Sequence, residues 1–262
     1  MALTAGKLWG MRRMADPQGR FKMVAVDQRP PIKNPIAKMR GTAEAPYEDV
    51  ERFKLKLIDV LQSEASAMLL DPHFALPKGL NVLLPAKGLI VTLEDSVFQE
   101  TEGGRLSSEI DHWSVEKIKR VGGDAVKVLA WYRPDASPDV LKAQQDFTKR
   151  IGEACARYDI PYVFELLVYE LPGEGTEKGY VEMKAKKADL VLDSVSEFAK
   201  ADYGVDLFKL ESPLNAADVP GVGAEGWREA QALFDELGMR AGRPWVMLSA
   251  GAGMKAFRNV LT

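Results

Sequence analysis

The sequence predicts an α/β fold: a (β/α)8 TIM-type barrel whose eighth β/α unit is missing or truncated. Three observations predict it. Short apolar runs alternate with longer amphipathic stretches, the pattern of a parallel sheet buried on both faces. The units recur at about 35 residues, and no GxGxxG follows the first run, so a barrel fits better than a dinucleotide fold. Charged residues interrupt the runs on one face. Residues 1–262 are read as one barrel domain.

In chain order the predicted strands cover 23–26, 67–70, 88–92, 125–131, 162–169, 206–210 and 245–249. Helical spacing relates Val50, Phe53, Leu57, Ile58 and Leu61, and then Leu141, Phe147, Ile151, Ala154 and Tyr158. Two further helices are predicted over 181–200 and 227–237. A closed barrel needs eight strands, and after the seventh the sequence reaches Thr262 inside what reads as the seventh helix. The stretch from Gly221 to Gly226 matches GxGxxG by letter but follows Pro220 rather than a strand. It is not read as a nucleotide site.

Composition narrows the function classes. Apolar residues make up 46% and charged residues 28%, as in globular rather than disordered chains. The single cysteine, Cys155, excludes a disulfide scaffold and any CxxC metal site. Two histidines, His73 and His112, argue against a multi-histidine zinc centre. A net charge of −3 gives no drive toward nucleic acid or an anionic membrane. No apolar run reaches the ~18 residues of a membrane span, and the first residues lack the apolar core of a signal peptide. A cytoplasmic location is expected.

Side chains alternate along a strand, and the alternation sorts the charges. Val24, Val126, Val128, Phe164, Leu166, Phe208 and Leu210 suit packing against outer helices, which leaves Asp27, Lys127, Glu165, Lys209 and Glu211 on the lumen side. Barrel sites lie at the C-terminal strand ends. A buried ion-pair network would account for such charges without chemistry. Two lysines among carboxylates suit Schiff-base catalysis instead. A desolvated amine beside a second cation loses its proton more readily and attacks a carbonyl, and a carboxylate moves the protons. The small residues of Leu248-Ser-Ala-Gly-Ala-Gly253, leading into a helix, suit a phosphate cradle. His73 and His112 read as structural groups, Cys155 as a core thiol, the ten methionines as core filler, and Lys184, Lys186, Lys187 and Lys200 as a solvated helix face.

The motifs Ala25-Val-Asp-Gln-Arg29, Ser66-Ala-Met-Leu-Leu-Asp-Pro72, Asp111-His-Trp-Ser114, Ala125-Val-Lys127, Phe164-Glu165, Val205-Asp-Leu-Phe-Lys-Leu-Glu-Ser-Pro213 and Leu248-Ser-Ala-Gly251 occur in this order. Together they resemble the class I tagatose-1,6-bisphosphate aldolases. The resemblance implies that Lys209 forms the Schiff base, that Glu165 transfers protons, that Lys127 is the neighbouring strand-four lysine, and that Asp27 contacts substrate hydroxyls. It implies substrate contacts by Gln28 and Arg29 and a phosphate loop at Ser249 and Gly251. It implies cleavage of a ketohexose 1,6-bisphosphate to dihydroxyacetone phosphate and glyceraldehyde 3-phosphate, with no metal, no cofactor and a sugar phosphate as partner. Relatives of this kind often form homo-oligomers. Arg133 stands where an acidic residue is expected and resembles the sulfofructose-phosphate aldolases, which suggests a phosphate or sulfonate ligand, or else a loop cap. A catalytically inactive sugar-phosphate-binding barrel and a phosphate-binding isomerase are the remaining alternatives.

Overall fold

The computed structural model describes residues 3–174 and 188–262. Seven strands form one sheet in the order β1 (Met23–Val26), β2 (Ala67–Leu70), β3 (Gly88–Thr92), β6 (Ala125–Trp131), β7 (Tyr162–Leu167), β8 (Leu207–Leu210) and β9 (Trp245–Met247). This sequential order, with helices in the crossovers, is that of an α/β barrel. The first four predicted strands keep their ends. The fifth and seventh end two residues early, at Leu167 and Met247, where the chain passes into loops, and the sixth begins one residue late, at Leu207.

The chain divides into two compact units. One comprises the chain up to Val97, Glu109–Val128 and Ala154–Tyr162, and the other Phe98–Ser108, Leu129–Glu153 and the chain from Val163. In the first, β1, β2, β3 and the start of β6 pair in parallel, with Ala25 opposite Leu69 and Thr92 opposite Lys127. Helix α1 (Ala5–Met14) was not legible as a helix in the sequence. Its start is held from outside, where the Asp159 carboxylate accepts from the Gly6 and Lys7 amides at 2.8 and 3.2 Å, satisfying donors the helix itself leaves open. Gly10 is required there, since a Cβ would stand 2.3 Å from the Asp124 carbonyl. Helices α2 (Pro30–Arg40), α3 (Tyr47–Leu61), α4 (Leu76–Gly79) and α5 (Val115–Arg120) complete the crossovers.

In the second unit, β7, β8 and β9 are parallel, with Glu165 opposite Lys209 and Lys209 opposite Val246. The outward aromatic residues pack as the alternation predicts. Phe164 lies 4.9 Å from Phe198 of α7 (Ala188–Phe198), ring to ring, and Tyr132 4.7 Å from the same ring. Of the helix predicted over 181–200, Ala188–Phe198 is helical among the described residues, and 181–187, with Lys184, Lys186 and Lys187, lie outside them. Helix α8 (Trp227–Ala241) runs one turn past its predicted end, and α9 (Met254–Leu261) follows the glycine-rich loop. Helix α6 (Pro138–Arg157) joins the two units along the chain. An unpredicted hairpin, β4 (Gln99–Thr101) with β5 (Gly104–Leu106), is too short and too charged to announce itself by periodicity. No helix among the described residues is long and apolar enough to cross a membrane.

Candidate active site

In the first unit the predicted charges form a closed cluster. Lys127 Nζ donates to Asp27 Oδ2 at 2.9 Å and to Glu94 Oε1 at 2.6 Å. Thr92, its ladder partner, donates to the same Asp27 oxygen at 3.0 Å. Arg29 donates to the Glu94 carbonyl at 3.0 Å and stands 3.8 Å from its carboxylate. All five residues are buried. Arg29, expected at the substrate, is held here as an interior cation, and Gln28 is half-buried. Burial pushes the Glu94 carboxyl upward, and the Lys127 and Arg29 charges oppose the shift. Sequence reasoning missed Glu94. The signal was available, because Glu94 shares the alternation parity of Thr92 just past the end of β3.

A second buried pair lies beside it. Lys54, on α3, donates to the Val26 carbonyl at 2.8 Å and to the Asp71 carboxylate, and both side chains are fully buried. Asp71 also accepts from the His73 and Phe74 amides at 3.0 and 2.8 Å, so His73 serves the loop through its backbone. Burial lowers the Lys54 ammonium below the usual lysine range, against the pull of Asp71. Val26 directly precedes Asp27, so this pair fixes the strand end that carries the catalytic candidate.

In the second unit Lys209 Nζ lies 2.8 Å from Glu165 Oε1, across adjacent strands. The glutamate side chain is 1% exposed and the lysine 16%. An amine and a carboxylate at this separation can exchange a proton directly, and the lysine keeps an opening to solvent. Glu211, two residues on, accepts from the Val168 amide at 2.6 Å. Ser249 is exposed, and its carbonyl accepts from Ala252 at 2.7 Å. Gly251 takes φ +77°, a left-handed turn that glycine enters at no steric cost.

Arg133 departs from the anion-binding expectation. Its five N–H groups go to Asp135 (two, at 2.8 Å), Glu174 (2.7 and 3.2 Å) and the Tyr169 carbonyl (2.7 Å). The guanidinium is saturated within the protein, and a phosphate or sulfonate finds no N–H left on it. Nearby, Arg105 answers burial differently. Its guanidinium carbon lies 4.3, 4.7 and 4.9 Å from the ring centres of Phe98, Trp131 and Tyr169. Its backbone N–H donates to the Tyr169 hydroxyl at 2.9 Å. Nothing in the sequence pointed to this residue, because its cage is assembled from three separate segments.

This fold recurs in solved aldolases. A Schiff-base-forming fructose-1,6-bisphosphate aldolase superposes with a TM-score of 0.63 at 15% identity, over 96% of this chain and 86% of that one. An archaeal fructose-1,6-bisphosphate aldolase with its catalytic lysine bound to the carbinolamine intermediate gives 0.60 at 14%, over 96% and 86%. The protein is an aldolase, a carbon–carbon lyase. More narrowly, the chain belongs to the DeoC/LacD family of aldolases, whose family model matches residues 21–262. It is 34% identical to the tagatose 1,6-diphosphate aldolase of Listeria monocytogenes (serotype 4a), over 99% of this chain and 76% of that protein. It is 33% identical to the enzyme of that name from Streptococcus pneumoniae (serotype 4), over 100% and 80%. The tagatose 1,6-diphosphate aldolase 1 of Enterococcus faecalis is 31% identical over 96% and 76%.

Proposed function

We propose that this aldolase works by the class I, Schiff-base route on tagatose 1,6-bisphosphate or a closely similar ketohexose bisphosphate. The observation that carries the reading is the Lys209–Glu165 contact at 2.8 Å, with the acid buried and the amine reachable. Relatives named for tagatose 1,6-diphosphate support the substrate.

In the proposed sequence Lys209 Nζ hands its proton to Glu165 and attacks the C2 ketone. The resulting carbinolamine loses water to give an iminium. A base takes the proton of the C4 hydroxyl, and the C3–C4 bond breaks with its electron pair drawn into the iminium. Glyceraldehyde 3-phosphate leaves. The remaining enamine is protonated at C3 and hydrolysed to dihydroxyacetone phosphate, freeing Lys209. Glu165 is the proton carrier for these steps. By the family motifs, Lys127 and Asp27 serve the same reaction, with Lys127 balancing charge and Asp27 meeting substrate hydroxyls. Ser249 and Gly251 are proposed to take a phosphate through loop amides. The saturated Arg133 gives the sulfonated-sugar alternative no support.

Borohydride reduction in the presence of dihydroxyacetone phosphate tests the proposal. The expected result is a single adduct, by peptide mass, on Lys209. An adduct on another lysine, or none, would overturn it.

A further inference from the structure

Burying an arginine without hydrogen bonds is costly, because five N–H donors lose water and gain nothing. Arg105 comes close to that position, with its nitrogens not fully closed off from solvent. The residue is 5% exposed, and among the described residues its guanidinium makes no hydrogen bond. Among the described residues Glu100 brings the nearest carboxylate, at 3.9 Å from Nη2 and half exposed on the facing strand of the hairpin. That distance gives attraction without a hydrogen bond. Glu170 adds a weaker negative field. The ring contacts recover part of the cost, but an aromatic ring gives the guanidinium N–H donors no conventional acceptor. Those donors are not sealed off. The Nε of Arg29 is a buried donor with no partner, whereas no nitrogen of Arg105 is closed off in that way.

The cage is also rigid and well placed. A Cβ at Gly104 would stand 2.3 Å from the Tyr169 hydroxyl, and one at Gly103 2.1 Å from Ser137 Oγ. The turn is therefore docked closely, and Arg105 is held by its own backbone bond to Tyr169. Tyr169 lies two residues past the end of β7, the strand that carries Glu165. Trp131 and Tyr169 share one apolar cluster with Leu248, and Ala250 of the glycine-rich loop packs against it. The guanidinium thus stands at the strand ends where barrel enzymes meet their substrates.

We infer that Arg105 is a specificity-determining ligand for a phosphate group of the sugar phosphate. The three rings wall in the guanidinium, and its unused N–H donors receive the anion in the paired geometry that guanidinium and phosphate favour. Glu100 is the counter-ion that gives way. This inference rests on the proposed sugar-phosphate reading of the same site.

The test uses calorimetry on a Lys209→Met background, where turnover cannot intervene. The probes are tagatose 1,6-bisphosphate, tagatose 1-phosphate and tagatose 6-phosphate. Adding Arg105→Met is expected to weaken the bisphosphate and one monophosphate by roughly 10- to 100-fold, the range of a charged hydrogen-bond pair. The other monophosphate keeps its affinity. Adding Glu100→Gln instead, which leaves the cage intact, is expected to tighten the same two ligands. Equal losses for all three probes, or none, overturn the inference. If Arg105→Met does not fold, the absence of tightening in Glu100→Gln overturns it. The outcome separates from the Schiff-base reading, which the borohydride adduct on the unmodified chain reports. An adduct without selective loss sinks only the Arg105 assignment, and selective loss without an adduct sinks only the lysine chemistry.

Discussion

The two units bury their cations in opposite ways. In the first, Lys127 is clamped between two carboxylates, and Lys54 between a carboxylate and a carbonyl. In the second, Lys209 meets Glu165 alone among the described residues, and Arg105 meets three rings. A cation gripped between two acceptors is a fixed post and positions what surrounds it. A cation with donors to spare can bind or react. The second unit itself contains the contrast, since Arg133 and Arg105 both touch Tyr169, one saturated and the other with none of its guanidinium donors used among the described residues. Burial alone therefore does not separate framework from chemistry. The number of acceptors gathered around the cation does.

The strongest way to break this comparison is at Lys54. Lys54→Met leaves the fully buried Asp71 without its cation, and removal of one partner from such a pair costs about 3–5 kcal/mol. Urea unfolding measures it. A loss under about 1 kcal/mol would show that the clamp is not a post at all.

A smaller effect is expected at Glu94, and it depends on pH. Its folded pKa lies above the unfolded one, so its stabilising contribution is complete below the unfolded value and is lost as pH rises through the folded value. Glu94→Gln is neutral throughout. Its stability should match the parent in acid and gain on it as pH rises, seen as a growing difference in urea midpoint. A constant difference would remove charge burial as the cause.

The smallest effect is expected at the exposed rim. Asp159 is held below the usual carboxylate range by the Thr4 hydroxyl and the Gly6 and Lys7 amides. A depressed acid contributes above its unfolded pKa, and the contribution disappears as pH falls through the folded value. Asp159→Asn should lower Tm slightly near neutral pH and leave it unchanged in strong acid. A loss that persists in acid would mean that the amide fails as a cap for other reasons.

The seven strands were legible because parallel strands are buried on both faces and read as continuous apolar runs. The hairpin carrying Arg105 was not, because two three-residue strands with Glu100, Glu102 and Arg105 have no such signature. Asp27, Lys127, Glu165 and Lys209 stood out as charges inside apolar runs. Glu94 lies two residues past the end of β3, outside the apolar run though on its parity, and Lys54 looks like any helix lysine until the packing of α3 buries it.

The amino-acid order alone determined the alternation of strands and helices, the parity that turns the charged residues to one side, and the motifs that carry the family. Those are local properties, set by side-chain periodicity and by neighbours along the chain. Only the tertiary structure decided which charges cancel: that Glu94 closes on Lys127, that Arg133 is consumed by Asp135 and Glu174, and that Arg105 is walled in by three rings from separate segments. Charge compensation depends on distances between groups tens of residues apart, and no pattern in a single sequence specifies those distances.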